Sequence, residues 1–88
     1  MASQVIKKDG TKEPFDEGKI RRAISAAATQ AGIAEDKKSE VVGTVTSAVL
    51  QLAGAKEEIA TSEIRDKILS ELDRIEPSVA AAWRAYAK

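Results

Sequence analysis

The chain contains neither cysteine nor histidine among its 88 residues. A disulfide scaffold, a zinc ribbon and a thiyl-radical active site all need cysteine, so this absence excludes three classes of protein. The sequence also lacks a glycine-rich loop followed by Lys-Ser or Lys-Thr, and it shows no evident pairing of a nucleophile with a general base. The sequence therefore predicts a protein that is not an enzyme.

An excess of charge of one sign is also missing, because 14 basic residues balance 14 acidic residues. A broad electrostatic contact with DNA or with an anionic membrane normally needs a clearly basic face or domain. No stretch approaches the roughly 18 apolar residues of a membrane span, and the N-terminus does not resemble a signal peptide. We therefore expect a cytoplasmic protein that contacts neither nucleic acid directly nor a membrane.

Aromatic residues are scarce, since Phe15, Trp83 and Tyr86 are the only ones. A chain of this length buries only about 60 to 65% of its unfolded surface, which predicts one marginally stable domain over residues 1–88. Trp83 and Tyr86 follow Val79 at helical spacing, a pattern more typical of core residues than of residues that stack on a base. We therefore expect both to face inward.

Asp9 and Gly10 form the strongest turn signal in the chain. A type I′ turn needs positive φ at both central positions, which Asp-Gly tolerates, so the signal predicts a β-hairpin over residues 5–15. A two-residue turn places Lys7 and Lys8 on opposite faces of their strand. Both lysines reach one ligand only if a bulge or the twist of the strand changes the direction of one of them.

Asp16 is the predicted N-cap of the first helix, and Phe15 and Ile20 are spaced to form a hydrophobic staple. Lys19 then falls in the first helical turn, where the positive end of the helix dipole disfavours a cation. An anion bound at this helix start would reverse that preference. Together with the two hairpin lysines, Lys19 predicts a site for a ligand that carries phosphate.

Apolar residues at helical spacing predict four helices, at about 17–31, 35–53, 62–74 and 77–87. The second helix begins at Glu35 or Asp36, and Thr61 or Ser62 caps the third. Residues 56–60 add a third strand to the hairpin, which would be marginal alone. The predicted fold class is α+β: a four-helix domain capped by a small three-stranded β-sheet.

The stretches VIKKDG and PFDEGKI resemble the opening of the ATP-cone family, small nucleotide-binding regulatory domains of ribonucleotide reductases and of the repressor of their genes. The usual opening of the family is Val, any residue, Lys, Arg, Asp, Gly, followed after a few residues by Phe-Asp-x-x-Lys-Ile. The similarity continues in IATSEIRDKI and VAAAWRAYAK, so it covers almost the whole chain. The resemblance implies ATP or dATP as the ligand, with Mg²⁺ as a companion ion, and allosteric regulation without catalysis.

The resemblance also implies roles for individual residues. In the family, the position of Val5 lies against the base, three lysine positions hold the phosphates, two acidic positions lie near the sugar and base, and the position of Thr61 closes the pocket. This chain has Lys8 where arginine is commoner, which replaces a two-pronged donor with a point charge. Arg65, one turn after Thr61, is the candidate to compensate. With Arg65 added from its place on the helix, where the family is variable, the predicted nucleotide-binding residues are Val5, Lys7, Lys8, Glu13, Asp16, Lys19, Thr61 and Arg65.

The output implied by the resemblance is regulation of ribonucleotide reductase or a related protein partner, or a change in self-association. Without cysteine, the chain is expected to be neither a complete reductase nor a complete zinc-bearing repressor. The competing hypothesis is a small helical protein–protein interaction domain without a ligand, whose hairpin lysines only protect an edge strand from pairing. A domain that binds nucleic acid is the least favoured class, because the net charge is zero and aromatic residues are few.

Overall fold

The computed structural model describes residues 3–86. These residues confirm the predicted α+β class, with four helices and a small three-stranded sheet. None of the helices in this part of the chain is long and apolar enough to cross a bilayer. In chain order the elements are β1 (Gln4–Ile6), β2 (Lys12–Pro14), α1 (Glu17–Gln30), α2 (Glu35–Gly54), β3 (Glu58–Ala60), α3 (Thr61–Ile75) and α4 (Pro77–Tyr86).

The strand β1 lies in the middle of the sheet, antiparallel to β2 and parallel to β3. Val5 of β1 is opposite Glu13 on one side and Ile59 on the other, and Ile59 is fully buried. A parallel pair of strands needs a long crossover connection, which the helices α1 and α2 provide here. The parallel pairing therefore places the end of β3, and with it the start of α3, beside the hairpin.

The hairpin closes with a three-residue loop, so the predicted two-residue type I′ turn is wrong. The Lys7 N–H donates to the Thr11 carbonyl at 2.8 Å, and the Gly10 N–H donates to the Lys7 carbonyl at 2.9 Å. Only Gly10 of this loop has a positive φ, at 89°. The Asp9 carboxylate accepts hydrogen bonds from the N–H (3.0 Å) and the hydroxyl (2.6 Å) of Thr11. These contacts stabilise a turn with a glycine bulge, which needs one left-handed residue instead of two.

The start of α1 follows the sequence prediction. Asp16 is the N-cap in an extended conformation, and its carboxylate accepts a hydrogen bond from the Lys19 N–H at 3.3 Å. Phe15 and Ile20, the predicted staple pair, are both partly buried against the core. Past the helix, Gly32 has a φ of 76°, the left-handed conformation that commonly follows a helix end. The orientation of α1 relative to the hairpin is therefore fixed at its first turn.

The start of α3 differs from the prediction, because Ala60 is the N-cap and neither Thr61 nor Ser62 is. Ala60 is still paired with Ile6 in the sheet, so the strand β3 continues directly into the helix. Alanine offers no side-chain acceptor for the first helical N–H groups. Instead, the Glu63 carboxylate accepts a hydrogen bond from the Ala60 N–H at 3.5 Å. Thr61 thus becomes the first residue of the helix.

The core lies where the four helices pack together beneath the sheet. The helix α1 contacts α2 and α4, and α3 contacts the same two helices. The side chain of Tyr86 and position 87, both predicted to belong to the last helix, lie outside the described side chains and residues. The buried apolar residues are Ile24, Ala27, Ala28, Val41, Val45, Val49, Ala53, Ile59, Ile64, Ile68, Leu72, Val79 and Ala80.

Thr46 of α2 is the buried polar residue of this core, and its hydroxyl has no hydrogen-bond partner within residues 3–86. Leaving a buried polar group unpaired costs about 1 to 3 kcal/mol. We therefore expect Thr46→Val to raise the free energy of unfolding by about 1 kcal/mol in urea denaturation. The reciprocal change at the adjacent buried position, Val45→Thr, should lower it. A Thr46→Val protein less stable than the parent would contradict the claim that the Thr46 hydroxyl has no hydrogen-bond partner.

Candidate functional site

One pocket of about 240 Å³ lies between the hairpin, the start of α1, the start of α3 and the middle of α4. Most of its lining is apolar, and the polar residues come from the hairpin and the two helix starts. The apolar residues are Val5, Pro14, Phe15, Ile20, Ala23, Ile64, Ile68 and Trp83. The polar residues are Glu13, Asp16, Lys19, Thr61 and Arg65.

The structure brings six of the eight residues predicted for a nucleotide site to this pocket. They come from two distant parts of the chain, residues 5–19 and 61–65, which meet because β3 pairs with β1. Lys7 and Lys8 do not line the pocket. Their roles in binding, like those of the other six, stay predictions. The six that line it are Val5, Glu13, Asp16, Lys19, Thr61 and Arg65.

Lys7 lies at the edge of the pocket, and Lys8 lies away from it. The Lys7 Nζ is 2.8 Å from the Glu13 Oε1. Side chains alternate along a strand, so Lys7 shares the face of Val5, which stands opposite Glu13 in the register. Lys8 belongs to the three-residue loop and is exposed. The glycine bulge therefore does not bring both lysines together, and it takes Lys8 out of the strand.

The carboxylate of Glu13 has a lowered pKa. The main cause is the hydrogen bond from the Lys7 ammonium. Desolvation opposes it, and the positive charges of Lys7 and Lys19 lower the pKa further. The same contact raises the pKa of Lys7. Glu13 is therefore ionised at neutral pH and is only an acceptor of hydrogen bonds. It suits the hydroxyls of a sugar or the amino group of a base, and it repels phosphate.

Two helix N-termini meet at the pocket, each with a cation nearby. Lys19 lies in the first turn of α1, and Arg65 lies one turn after Thr61 at the start of α3. Both cations are exposed on the open side of the pocket. Free N–H groups and the helix dipole favour an anion at a helix start, and Asp16 satisfies one of those N–H groups in α1. This side of the pocket can hold a multiply charged anion.

Trp83 is part of the pocket wall, which the sequence interpretation missed. It is partly buried against the core, as expected from its helical spacing, and it also lines the pocket. Its indole Nε1 is buried and has no hydrogen-bond partner within residues 3–86. Helical spacing indicates which face of a helix is turned inward, but it does not distinguish a packed core from the wall of a cavity.

We expect Lys7→Gln to raise the pKa of the Glu13 carboxyl toward its ordinary value, measured by NMR titration of the side-chain carboxyl. The physical reason is the loss of the ammonium that hydrogen-bonds the carboxylate. Because the folded-state pKa is the lowered one, this contact stabilises the fold above the ordinary pKa of glutamate. The stabilisation is lost as the pH falls through the lowered value.

Lys8→Gln is the control for this measurement, because it removes the same charge from the neighbouring loop position. It should leave the pKa of Glu13 near the value in the parent chain. An equal rise in both variants would show that Lys7 has no specific contact with Glu13 in solution.

Comparison with known proteins identifies the family of this chain. The model of the ATP cone domain family matches residues 3–88. The transcriptional repressor NrdR of Chloroflexus aggregans is 31% identical over 99% of this chain and 51% of its own length. The repressor of the same name from Syntrophus aciditrophicus is 38% identical over 85% of this chain and 48% of its own length. The chain spans about half the length of these relatives.

The relatives correct one sequence-based prediction. They are transcriptional repressors, and repression of transcription is exerted on DNA, so the prediction that excluded direct contact with nucleic acid is wrong. That prediction depended on the net charge of the chain, which averages over the whole surface and does not report local clusters. The resemblance read from the opening motifs is confirmed, because the family model extends over nearly every residue. The chain belongs to the ATP cone domain family.

Proposed function

We propose that this chain is a nucleotide-sensing regulatory domain that binds ATP or dATP in the pocket between the hairpin, α1, α3 and α4. The observation that carries the proposal is the convergence on one pocket of an apolar wall and two helix N-termini with Lys19 and Arg65. An apolar wall suits a purine base, and the helix starts with their cations suit the phosphates.

The size of the pocket indicates how the nucleotide would be held. Its volume of about 240 Å³ is below the range of about 300 to 1,000 Å³ that is usual for sites enclosing a whole ligand. The base and sugar would therefore occupy the cavity beside Val5 and Trp83. The triphosphate would extend over the open side, toward Lys19 and Arg65.

Lys7 can join the phosphate contacts when the ligand binds. Its ion pair with Glu13 is solvent-exposed, with 46% and 41% of the two side chains accessible. Exposed ion pairs of this kind are weak and are exchanged readily for a stronger partner. A triphosphate carries more charge than one carboxylate, so Lys7 would move from Glu13 to the phosphates. The phosphate role of Lys8 is supported by the family resemblance alone.

Binding without hydrolysis is part of the proposal. The carboxylates at the pocket are Glu13, which accepts a hydrogen bond from Lys7, and Asp16, which caps α1. Each is held in an ion pair or a cap, and the pKa of Glu13 is lowered, whereas a general base tuned for neutral pH has a raised pKa. No group of three acidic side chains in residues 3–86 is arranged to hold a metal ion. Mg²⁺ as the companion of a bound triphosphate stays a prediction.

The regulatory part of the proposal follows from the way the pocket is assembled. The hairpin, the start of α1 and the start of α3 all contribute polar contacts, so a nucleotide that contacts all three favours the conformation in which they are closest. A ligand shifts a conformational equilibrium only through such a difference in affinity. The relatives favour transcription, over direct action on a reductase subunit, as the process under control.

Trp83 provides the measurement that tests this proposal, because it is the single tryptophan of the chain and lines the pocket. ATP or dATP should change its fluorescence along a saturable curve. Lys19→Ala should weaken the affinity about 10- to 150-fold, since a hydrogen bond to a charged group contributes about 1.5 to 3 kcal/mol. The helical signal in circular dichroism should be unchanged.

Lys37→Ala is the matched control, because Lys37 is an exposed lysine in the first turn of another helix, α2. It should bind nucleotide as the parent chain does. Equal affinity of the Lys19→Ala and Lys37→Ala proteins would show that the nucleotide does not bind at the start of α1. Absence of any fluorescence change or heat of binding at millimolar nucleotide would favour the competing hypothesis, an interaction domain without a ligand.

A further inference from the structure

A second concave surface, separate from the nucleotide pocket, lies between α1 and α2. It is an open groove of about 300 Å³, and three of the residues that line it carry positive charge. The remaining residues are two serines and one partly buried valine, and no carboxylate lines it. We call this surface the basic groove. Its residues are Arg21, Arg22, Ser25, Lys38, Ser39 and Val42.

Two of the three cations of the basic groove are partly neutralised from outside it. The Arg21 Nε is 2.8 Å from the Glu17 carboxylate, and the Lys38 Nζ is 2.9 Å from the Glu35 carboxylate. Arg22 pairs with no acidic side chain among residues 3–86. Three positive charges against two negative ones leave one excess positive charge at the groove, although the chain as a whole is neutral.

The donors of the groove suit one class of anion. A guanidinium group presents parallel N–H donors that match two oxygens of a phosphate, and those of Arg22 have no partner among residues 3–86. Ser25 and Ser39 have short side chains whose hydroxyls can donate hydrogen bonds at the same surface. Lys38 also donates to the Thr29 hydroxyl at 3.3 Å, which holds its ammonium group in place beside α1. The groove thus presents several hydrogen-bond donors together with a local excess of positive charge.

The basic groove and the nucleotide pocket lie on different sides of α1. On α1 the pocket is lined by Lys19, Ile20 and Ala23. The groove residues of the same helix, Arg21, Arg22 and Ser25, each follow one of these by two positions. Two positions correspond to a rotation of about 200° around an α-helix. The two sites therefore share no lining residue and are centred on different sides of α1, although Arg22 and Lys19, three positions apart, are neighbours on the helix surface.

We propose that the basic groove binds the phosphate group of a second ligand, with Arg22 as the principal contact and the two serine hydroxyls as supporting donors. The proposal goes beyond nucleotide sensing and does not depend on it. Two sources share this chemistry: a free phosphate or nucleotide, and the sugar–phosphate backbone of DNA. The open shape of the groove and its single excess charge are suited to positioning a phosphate, with modest affinity.

The test is an NMR titration of the intact chain that observes the Arg22 Nε–H and the backbone amides of Ser25 and Ser39. Inorganic phosphate, ATP and a short DNA duplex are added in separate experiments at constant ionic strength, with sodium chloride as the reference salt. We expect saturable shifts at these three groups with phosphate or with DNA. In the Arg22→Gln chain the apparent affinity should fall about tenfold, the loss of one hydrogen bond to a charged group.

Arg65→Gln is the control variant, because it removes an arginine from the nucleotide pocket and leaves the groove unchanged. It should weaken ATP binding and leave the phosphate response of the groove intact. Tighter binding of DNA than of inorganic phosphate assigns the groove to a nucleic-acid backbone, and the opposite order assigns it to a free phosphate ligand. Shifts that sodium chloride reproduces, or that survive Arg22→Gln unchanged, would overturn the proposal. Failure of ATP to bind the pocket would leave this test unaffected.

Discussion

The parallel pairing of β1 with β3 is the contact on which the candidate site depends. It joins a strand near the N-terminus to one that follows two long helices, and Ala60, its last paired residue, leads directly into α3. The pairing therefore places Thr61 and Arg65 across the pocket from Lys19. Without it the chain would still contain a hairpin and helices, but the two helix N-termini would not face one cavity. The fully buried Ile59 anchors this strand in the core.

Much of the fold could be predicted from the sequence because local rules decide it. The cap at Asp16 and the spacing of apolar residues place the helices within a residue or two of their observed ends. The hairpin loop was predicted wrongly because Asp-Gly is compatible with more than one turn, and the hydrogen bonds from Thr11 to Asp9 select the longer one. The cap of α3 was predicted wrongly because a sheet contact, invisible in local sequence, carries the strand up to Ala60.

The location of the candidate site residues could be predicted only in part, and the differences between sequence and structure have a common physical origin. Family motifs name positions, but they do not report the direction in which a side chain points. Lys8 occupies a motif position and lies in an exposed loop outside the pocket, whereas Trp83 was interpreted as core and forms part of the pocket wall. Zero net charge similarly hid the positive groove between α1 and α2. The net charge of a sequence therefore does not indicate which surfaces of the folded domain are positive.

The central claim is that one nucleotide contacts the hairpin, α1 and α3 together. The most direct measurement is a titration of the isotopically labelled chain with ATP, dATP and GTP, observed by amide NMR spectroscopy. The claim predicts shifts at Val5, Lys19 and Thr61 that follow a single dissociation constant for ATP or dATP. Shifts confined to one of these elements would contradict the claim. So would the absence of shifts at all three at a nucleotide concentration where calorimetry shows saturated binding, because the ligand would then bind elsewhere on the chain.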